Sequence, residues 1–184
     1  VGAGVTEDER FLILSIAEGT DGSEIKIKDL KDPSSQGFIT LVPGFSTNAD
    51  VVDNSGDKII LKTNSGAPNY KLVLADPKNP SEANWKTIIP EAKEPLTFAT
   101  TGGNKIFAGY LKDANTLVNQ HDFSGKLEHR IQLPGVGTAV GFGSKKEDNE
   151  FYYVFTSFTY PATIFKYDIP TGKSPLYRKS DDTF

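Results

Sequence analysis

Apolar residues in this chain come in short runs, broken by polar turns, and the runs return at a fixed step. One set starts at Phe11 (Phe-Leu-Ile-Leu-Ser-Ile), Lys58, Lys105 and Phe151, spaced 47, 47 and 46 residues apart. A second set ends in an aspartate each time: Glu24 to Asp29, Lys71 to Asp76, Thr116 to Asp122 and Thr163 to Asp168. Those aspartates are 47, 46 and 46 residues apart. A third runs Phe38 to Pro43, Trp85 to Pro90 and Leu127 to Pro134, with a weaker counterpart at Leu176-Tyr-Arg. A fourth is shorter and richer in small residues: Gly2 to Thr6, Ala49 to Val52, Thr97 to Thr100 and Thr138 to Phe142. The runs are β-branched and aromatic, which favours strands. No long segment has a 3.6-residue apolar period. Between first and second runs lie Glu7-Asp8-Glu9, Asn54 to Asp57, Gly102-Gly103-Asn104 and Lys145 to Glu150, several rich in the Gly and Asn that tight hairpins need.

The pattern predicts four repeats of four antiparallel strands, at about 1–44, 45–92, 93–135 and 136–184. A period in the forties with several strands per unit is the signature of a β-propeller, an all-β architecture in which each sheet needs its neighbours to bury its faces. A meander of hairpins such as a sandwich is the competing fold, but sandwiches rarely hold so steady a period. The small-residue strands are expected on the inside. Phe11, Leu14, Ile59, Leu61, Ile106, Tyr110, Tyr153 and Phe155 are expected to pack sheet on sheet.

Composition narrows the function classes. The chain has 184 residues, no cysteine and no methionine, so disulfide and thiol chemistry are excluded. A net charge of −4 argues against a nucleic-acid partner, which usually needs a basic patch. No run reaches membrane-spanning length, and no signal segment is recognisable. These features lead to the expectation of a soluble protein. The first residue is Val1, which points to a processed product or a piece of a longer protein.

Candidate chemistry is sparse. A nucleophile elbow, Gly-x-Ser-x-Gly, is missing: Gly44-Phe-Ser46-Thr-Asn48 fails at its last position, and Ser46 reads as a turn residue. His121 and His129 fall in adjacent predicted strands of the third repeat, but a metal site needs a third ligand; they read as surface or edge histidines. No metal or other cofactor is expected. Gly172-Lys-Ser174 lacks the upstream glycine of a phosphate loop, since Tyr167 stands there, and Pro170 to Lys173 reads as a hairpin turn. Gly135-x-Gly137 reads as a loop between repeats, and Lys145 to Glu150 as a solvated hairpin tip. A ring of the repeated aspartates around a cation is conceivable, but an Asp at a strand end caps the following turn through its own backbone, and that reading is preferred.

Four stretches together resemble the propeller of prolyl oligopeptidases: Arg10 to Asp21, Leu61 to Val73, Asn84 to Glu91, and Phe151 to Pro161 followed by Ile164 to Asp168. The resemblance covers nearly the whole chain. It implies the last four blades of a seven-bladed propeller, with the catalytic α/β-hydrolase domain and its Ser, Asp and His outside this sequence. In that family the propeller restricts access to small peptides cut after proline and shapes the outer subsites. The implied partners are short proline-containing peptides, the missing blades and the catalytic domain, with no nucleic acid and no membrane. The parent would be a serine-type prolyl endopeptidase, and the resemblance implies a cytoplasmic or periplasmic location; this chain alone is expected to be inactive, with no catalytic residue of its own. In mammalian members the stretch matching Ser15 to Asp21 carries an arginine and a cysteine of the substrate site. Here those positions are Ala17 and Thr20, so Ala17 cannot make an arginine's charge-assisted bonds, while Thr20 can still line an outer pocket. Uncovered flanks on the first and last repeats lead to the expectation of self-association. Two other readings compete. A stand-alone propeller scaffold would present loops to partner proteins, although the paired Gly-His and Trp-Asp signature is missing and Trp85 is the only tryptophan. A propeller glycosidase would need convergent carboxylates, and the predicted inner strands offer only Asp50.

Overall fold

A computed structural model describes residues 1–34 and 37–179. The last five residues assigned to the fourth repeat, and 35–36 of the first, therefore lie outside the described residues. Those described form sixteen strands in four four-stranded antiparallel sheets, each built from consecutive strands. The single helical element among the described residues is one 3-10 turn at Glu82–Asn84.

The chain divides into two compact units, Val1–Lys93 and Glu94–Phe184. In the first unit, β1 (Gly2–Val5), β2 (Phe11–Ile16), β3 (Glu24–Asp29) and β4 (Ile39–Val42) make one sheet. A second sheet comprises β5 (Ala49–Ser55), β6 (Lys58–Thr63), β7 (Lys71–Ala75) and β8 (Lys86–Ile89). One core joins them. Phe11, Ile25, Ile27 and Leu41 of the first sheet pack on Ala49, Ile59, Leu61 and Val73 of the second. Leu14 is not in this core. It lies three residues from Phe11, and strand side chains alternate, so Leu14 faces the other side of the sheet and is half-buried.

In the second unit, β9 (Leu96–Gly102), β10 (Lys105–Lys112), β11 (Asn115–His121) and β12 (Leu127–Arg130) make the third sheet. The fourth comprises β13 (Thr138–Val140), β14 (Glu150–Ser157), β15 (Tyr160–Asp168) and β16 (Leu176–Lys179). Their shared core is aromatic: Phe107, Phe142, Phe151, Tyr153, Phe155, Phe165 and Tyr167. Phe107 meets Phe151 edge-on at 4.9 Å, and Phe142 stacks on Tyr153 at 4.8 Å, geometries that suit the ring quadrupole. Ile106 and Tyr110 are buried on the opposite face of β10 from Phe107.

β6 and β10 are buried on both faces, and their sequences are near-continuous apolar runs. β14 and β15 alternate, with 151, 153, 155 and 163, 165, 167 buried and their neighbours more open. The outer faces of the first and fourth sheets are nevertheless partly apolar. They carry Val5, Leu12 and Leu14 in one, and Val140, Tyr152 and Tyr177 in the other.

Candidate functional site: the loop ends of the sheets

Antiparallel order gives every sheet two ends. One carries the turns between first and second and between third and fourth strands. The other carries the second-to-third turns and the connections to the next sheet. The recurring aspartates all sit at the first end, where they organise turns. Asp29 Oδ1 accepts Lys31 N at 2.9 Å, and Asp76 Oδ1 accepts Lys78 N at 2.9 Å. Asp122 Oδ1 accepts Ser124 N, Ser124 Oγ and Lys126 N, and Asp168 Oδ1 accepts Thr171 N and Thr171 Oγ1. The hydroxyl of Ser124 holds Asp122 below the usual carboxylate range, and that of Thr171 does the same for Asp168. At Asp29 burial opposes the charge, but hydrogen bonds from Arg10 and from Lys31 outweigh it and the pKa is lowered. The carboxylates are thus committed to local turns, and no group of three or more metal-ligating side chains occurs among the described residues.

Polar keystones lock the sheets of each unit together at this same end. In the first unit Asp8 accepts Thr6 Oγ1, Arg10 N and, from the second sheet, Asn54 Nδ2 at 2.9 Å. Glu7 N donates to Asp53 Oδ1 at 3.1 Å. β5 extends beyond its expected end to include Asp53, so Asp50 is not the only acid on an inner strand. Asp53 is buried and serves this join. In the second unit the Tyr167 hydroxyl donates to Gln120 Oε1 at 2.8 Å, and Gln120 Nε2 donates to Glu128 and to the Ile169 carbonyl. Lys105 Nζ reaches the other oxygen of Glu128 at 2.6 Å. Burial raises the Tyr167 hydroxyl above its ordinary value, so it stays protonated as the donor.

His121 is a correction to the expectation of two surface or edge histidines. It is only 7% exposed; Nδ1 bonds the Gly125 carbonyl at 3.0 Å, and Nε2 is buried without a partner. His129 lies half-buried on β12 and packs against Gly172, in the turn between β15 and β16. Their places follow from register: His129 pairs with Gln120, and His121 with Leu127, so the two rings occupy opposite faces of the sheet.

The opposite end carries Ala17 and Thr20. Both are exposed, in the loop 17–23 beyond the end of β2, and neither packs within a strand. The loop is stitched to the connection between the two sheets. Gly22 N donates to Asn48 Oδ1 at 2.7 Å, Ser23 N to Thr47 O at 2.9 Å and Ser23 Oγ to Ala49 O at 2.8 Å. Asn48 N in turn donates to Asn64 Oδ1 at 2.8 Å, joining the loop 64–70. Gly22 has φ +84°, and a Cβ there would overlap the Phe45 carbonyl, so this close crossing requires glycine. Ser46 is exposed in the same connection, as a turn residue.

In the second unit this end is formed by the Asp113–Ala114 turn, the connection 131–137 and the β14–β15 turn at Phe158. Asp113 and Ala114 both have positive φ, as a two-residue hairpin of the primed type requires. Two adjoining depressions open here, of about 520 and 310 Å³, which share Asp113, Asn115 and Val136. The repeat pattern placed these turns, but nothing in it marked Lys112, Arg130, Val136 or Phe158 as neighbours. Their juxtaposition depends on how the connection 131–137 lies against β14.

Four consecutive antiparallel sheets with this core pattern and these loop ends define a β-propeller-type repeat domain. Comparison with known proteins gives the family. The profile described as prolyl oligopeptidase, N-terminal beta-propeller domain, matches residues 1–180, and the chain belongs to that family. A prolyl endopeptidase of Elizabethkingia meningoseptica is 46% identical over 179 residues, covering 97% of this chain and 25% of the relative. A solved chain from a study of two prolyl endopeptidases, titled for inter-domain dynamics in catalysis and specificity, superimposes with a TM-score of 0.88. It is 33% identical over 96% of this chain and 26% of that one. Prolyl oligopeptidase B from Galerina marginata shares the fold, with a TM-score of 0.85 at 22% identity, covering 97% of this chain and 26% of that one. The chain thus spans about a quarter of the length of these relatives. Among the described residues no helix is long and apolar enough to cross a membrane.

Proposed function

We propose that this chain is the non-catalytic propeller portion of a prolyl oligopeptidase. In this reading it limits access of short proline-containing peptides to a serine peptidase site carried elsewhere in a longer protein, and it shapes the outer subsites. The observation that supports it most is the family match over residues 1–180, in a chain whose loop ends are built and whose aspartates are occupied with turns. Ala17 and Thr20 are the proposed rim residues, because they are exposed on a loop held from beneath by Asn48 and Ala49. Thr20 offers a hydroxyl to a passing peptide, and Ala17 offers only a methyl group.

The test is cleavage of a fluorogenic Gly-Pro substrate. The pure chain is expected to show none, and the longer protein that contains it to cleave. In that longer protein Thr20→Trp should raise KM more than it lowers kcat, because it obstructs binding and leaves the chemistry alone. Cleavage by the pure chain would refute the reading.

A further inference from the structure

Asp21-Gly22 is the only Asp-Gly or Asn-Gly pair in the sequence. Such a pair is chemically labile, because glycine has no side chain to screen its amide nitrogen from the preceding carboxyl group. Attack by Gly22 N on Asp21 Cγ closes a cyclic imide: the N–Cγ bond forms, and the amide hydrogen leaves with the carboxyl hydroxyl as water. Water then adds to the main-chain carbonyl carbon of Asp21 and breaks its bond to Gly22 N. The chain now runs through Cβ and Cγ, an isoaspartate of unchanged mass, and the former main-chain carbonyl has become a free carboxyl group. No reagent other than water is required. The fold exposes the carboxyl group and pins the nitrogen. Asp21 is exposed and Gly22 is buried. Gly22 N donates to Asn48 Oδ1 at 2.7 Å. Asn48 is itself fixed: its N donates to Asn64 Oδ1 at 2.8 Å, and its carbonyl accepts Thr63 Oγ1 at 3.0 Å and Asn64 N at 3.2 Å. One residue on, Ser23 Oγ donates to Ala49 O and accepts Ala49 N, both at 2.8 Å. The Phe45 carbonyl stands where a Cβ on Gly22 would be.

We propose that Asp21 is a modification site, converted to isoaspartate when the loop 17–23 lifts from the connection 43–48, and that Asn48 is the residue that holds the conversion back. Ring closure requires Gly22 N to lose its hydrogen and swing towards Cγ. While Asn48 holds that hydrogen and Ala49 holds the next residue, the swing is blocked. Reaction therefore proceeds from the opened loop, at a rate set by the population of that state. Removing one hydrogen bond raises such a population by about tenfold. The added backbone carbon does not fit the crossing beneath Phe45, where even a Cβ would overlap. The loop that carries Ala17 and Thr20 then loses its anchor, so conversion of Asp21 remodels the exposed surface above it.

The experiment incubates the intact chain at neutral pH, folded in buffer or unfolded in urea. Isoaspartate is counted by methyl transfer from labelled S-adenosylmethionine with a protein isoaspartyl methyltransferase, and it is assigned to Asp21 by electron-transfer fragmentation of the peptide that contains it. Asp21 should convert at least about tenfold faster in urea than in buffer, and Asn48→Ala should speed conversion in buffer by about tenfold. The fluorescence of Trp85, which packs on the core of the same unit, shows whether the variant is folded. If it is not, exchange of the Gly22 amide hydrogen in the parent chain decides: protection upholds the guarding role, and exchange as fast as in urea overturns it. Asp21→Glu, which would need a larger ring, should remove the methylation assigned to this position; a signal that persists comes from another residue and overturns the assignment. No isoaspartate at Asp21 in urea, equal rates in buffer and urea, or an unchanged rate in folded Asn48→Ala would each overturn the proposal. None of these outcomes bears on Gly-Pro cleavage, so the two readings fail separately.

Discussion

His121 carries the clearest single-residue consequence. Burial lowers its pKa below the ordinary 6.5, against smaller opposing effects from the Gly125 carbonyl, Asp122 and Glu128. The unfolded chain therefore binds a proton that the folded chain resists. The stabilisation tied to this group is complete above the ordinary histidine value and is lost as pH falls through that value towards the lower folded one. Urea unfolding should show stability declining between about pH 7.5 and 5.5. His121→Phe should flatten that decline; a variant curve as steep as the parent's would exclude His121 as its source. The lowered carboxylates Asp29, Asp122 and Asp168 act in a separate, more acidic window, because they lose their partners only on protonation. The sequence showed a histidine at a strand end beside Asp122. It could not show that the register turns the ring inward.

At the scale of elements, strands were legible and crossings were not. β2, β3 and β6 have the bounds that the apolar runs predict, because alternation and turn chemistry are local. The connection that crosses the loop 17–23 depends on Gly22, which in sequence is one glycine among 17. Gly22→Ala should cost about 1–3 kcal/mol for the backbone alone, and more for the overlap with Phe45. Trp85 reports on the same unit, since it packs against that core and its Nε1 donates to the Pro80 carbonyl. Its fluorescence should follow the lowered urea midpoint. Gly19→Ala, where a Cβ meets open space, is the control and should leave the midpoint in place. Equal midpoints for the two variants would mean the crossing is not a constraint.

At the scale of the whole molecule, uncovered faces are the dominant fact. Val140, Tyr152 and Tyr177 of the fourth sheet are exposed, with the two tyrosine rings 4.7 Å apart. On the first sheet Val5 is exposed beside half-buried Leu12 and Leu14. A repeat domain buries such faces against further repeats, and this chain spans about a quarter of its relatives' length. We expect the isolated chain to self-associate through these faces. Light scattering after size exclusion should give a mass above 20.0 kDa that falls on dilution, and Tyr152→Lys with Tyr177→Lys should shift it towards the monomer. A monomer at high concentration would reject the expectation.

The sequence by itself determined the all-β class, the four repeats, most strand positions and the family. Each of these rests on local periodicity, on spacing between repeats or on runs of identity. The capping role of Asp29, Asp76, Asp122 and Asp168 was equally local, because an aspartate reaches amides two or three residues on without help from the rest of the fold. Only tertiary structure decided which side chains meet across sheets. Gln120 and Tyr167 stand one repeat apart in sequence, yet they share a buried hydrogen bond. Lys112 and Arg130 line one depression and Phe158 its neighbour, with Val136 in both, where Gly137 lets the connection 131–137 lie against β14. Such long-range meetings depend on register and on the path of loops, and neither is written in a local pattern.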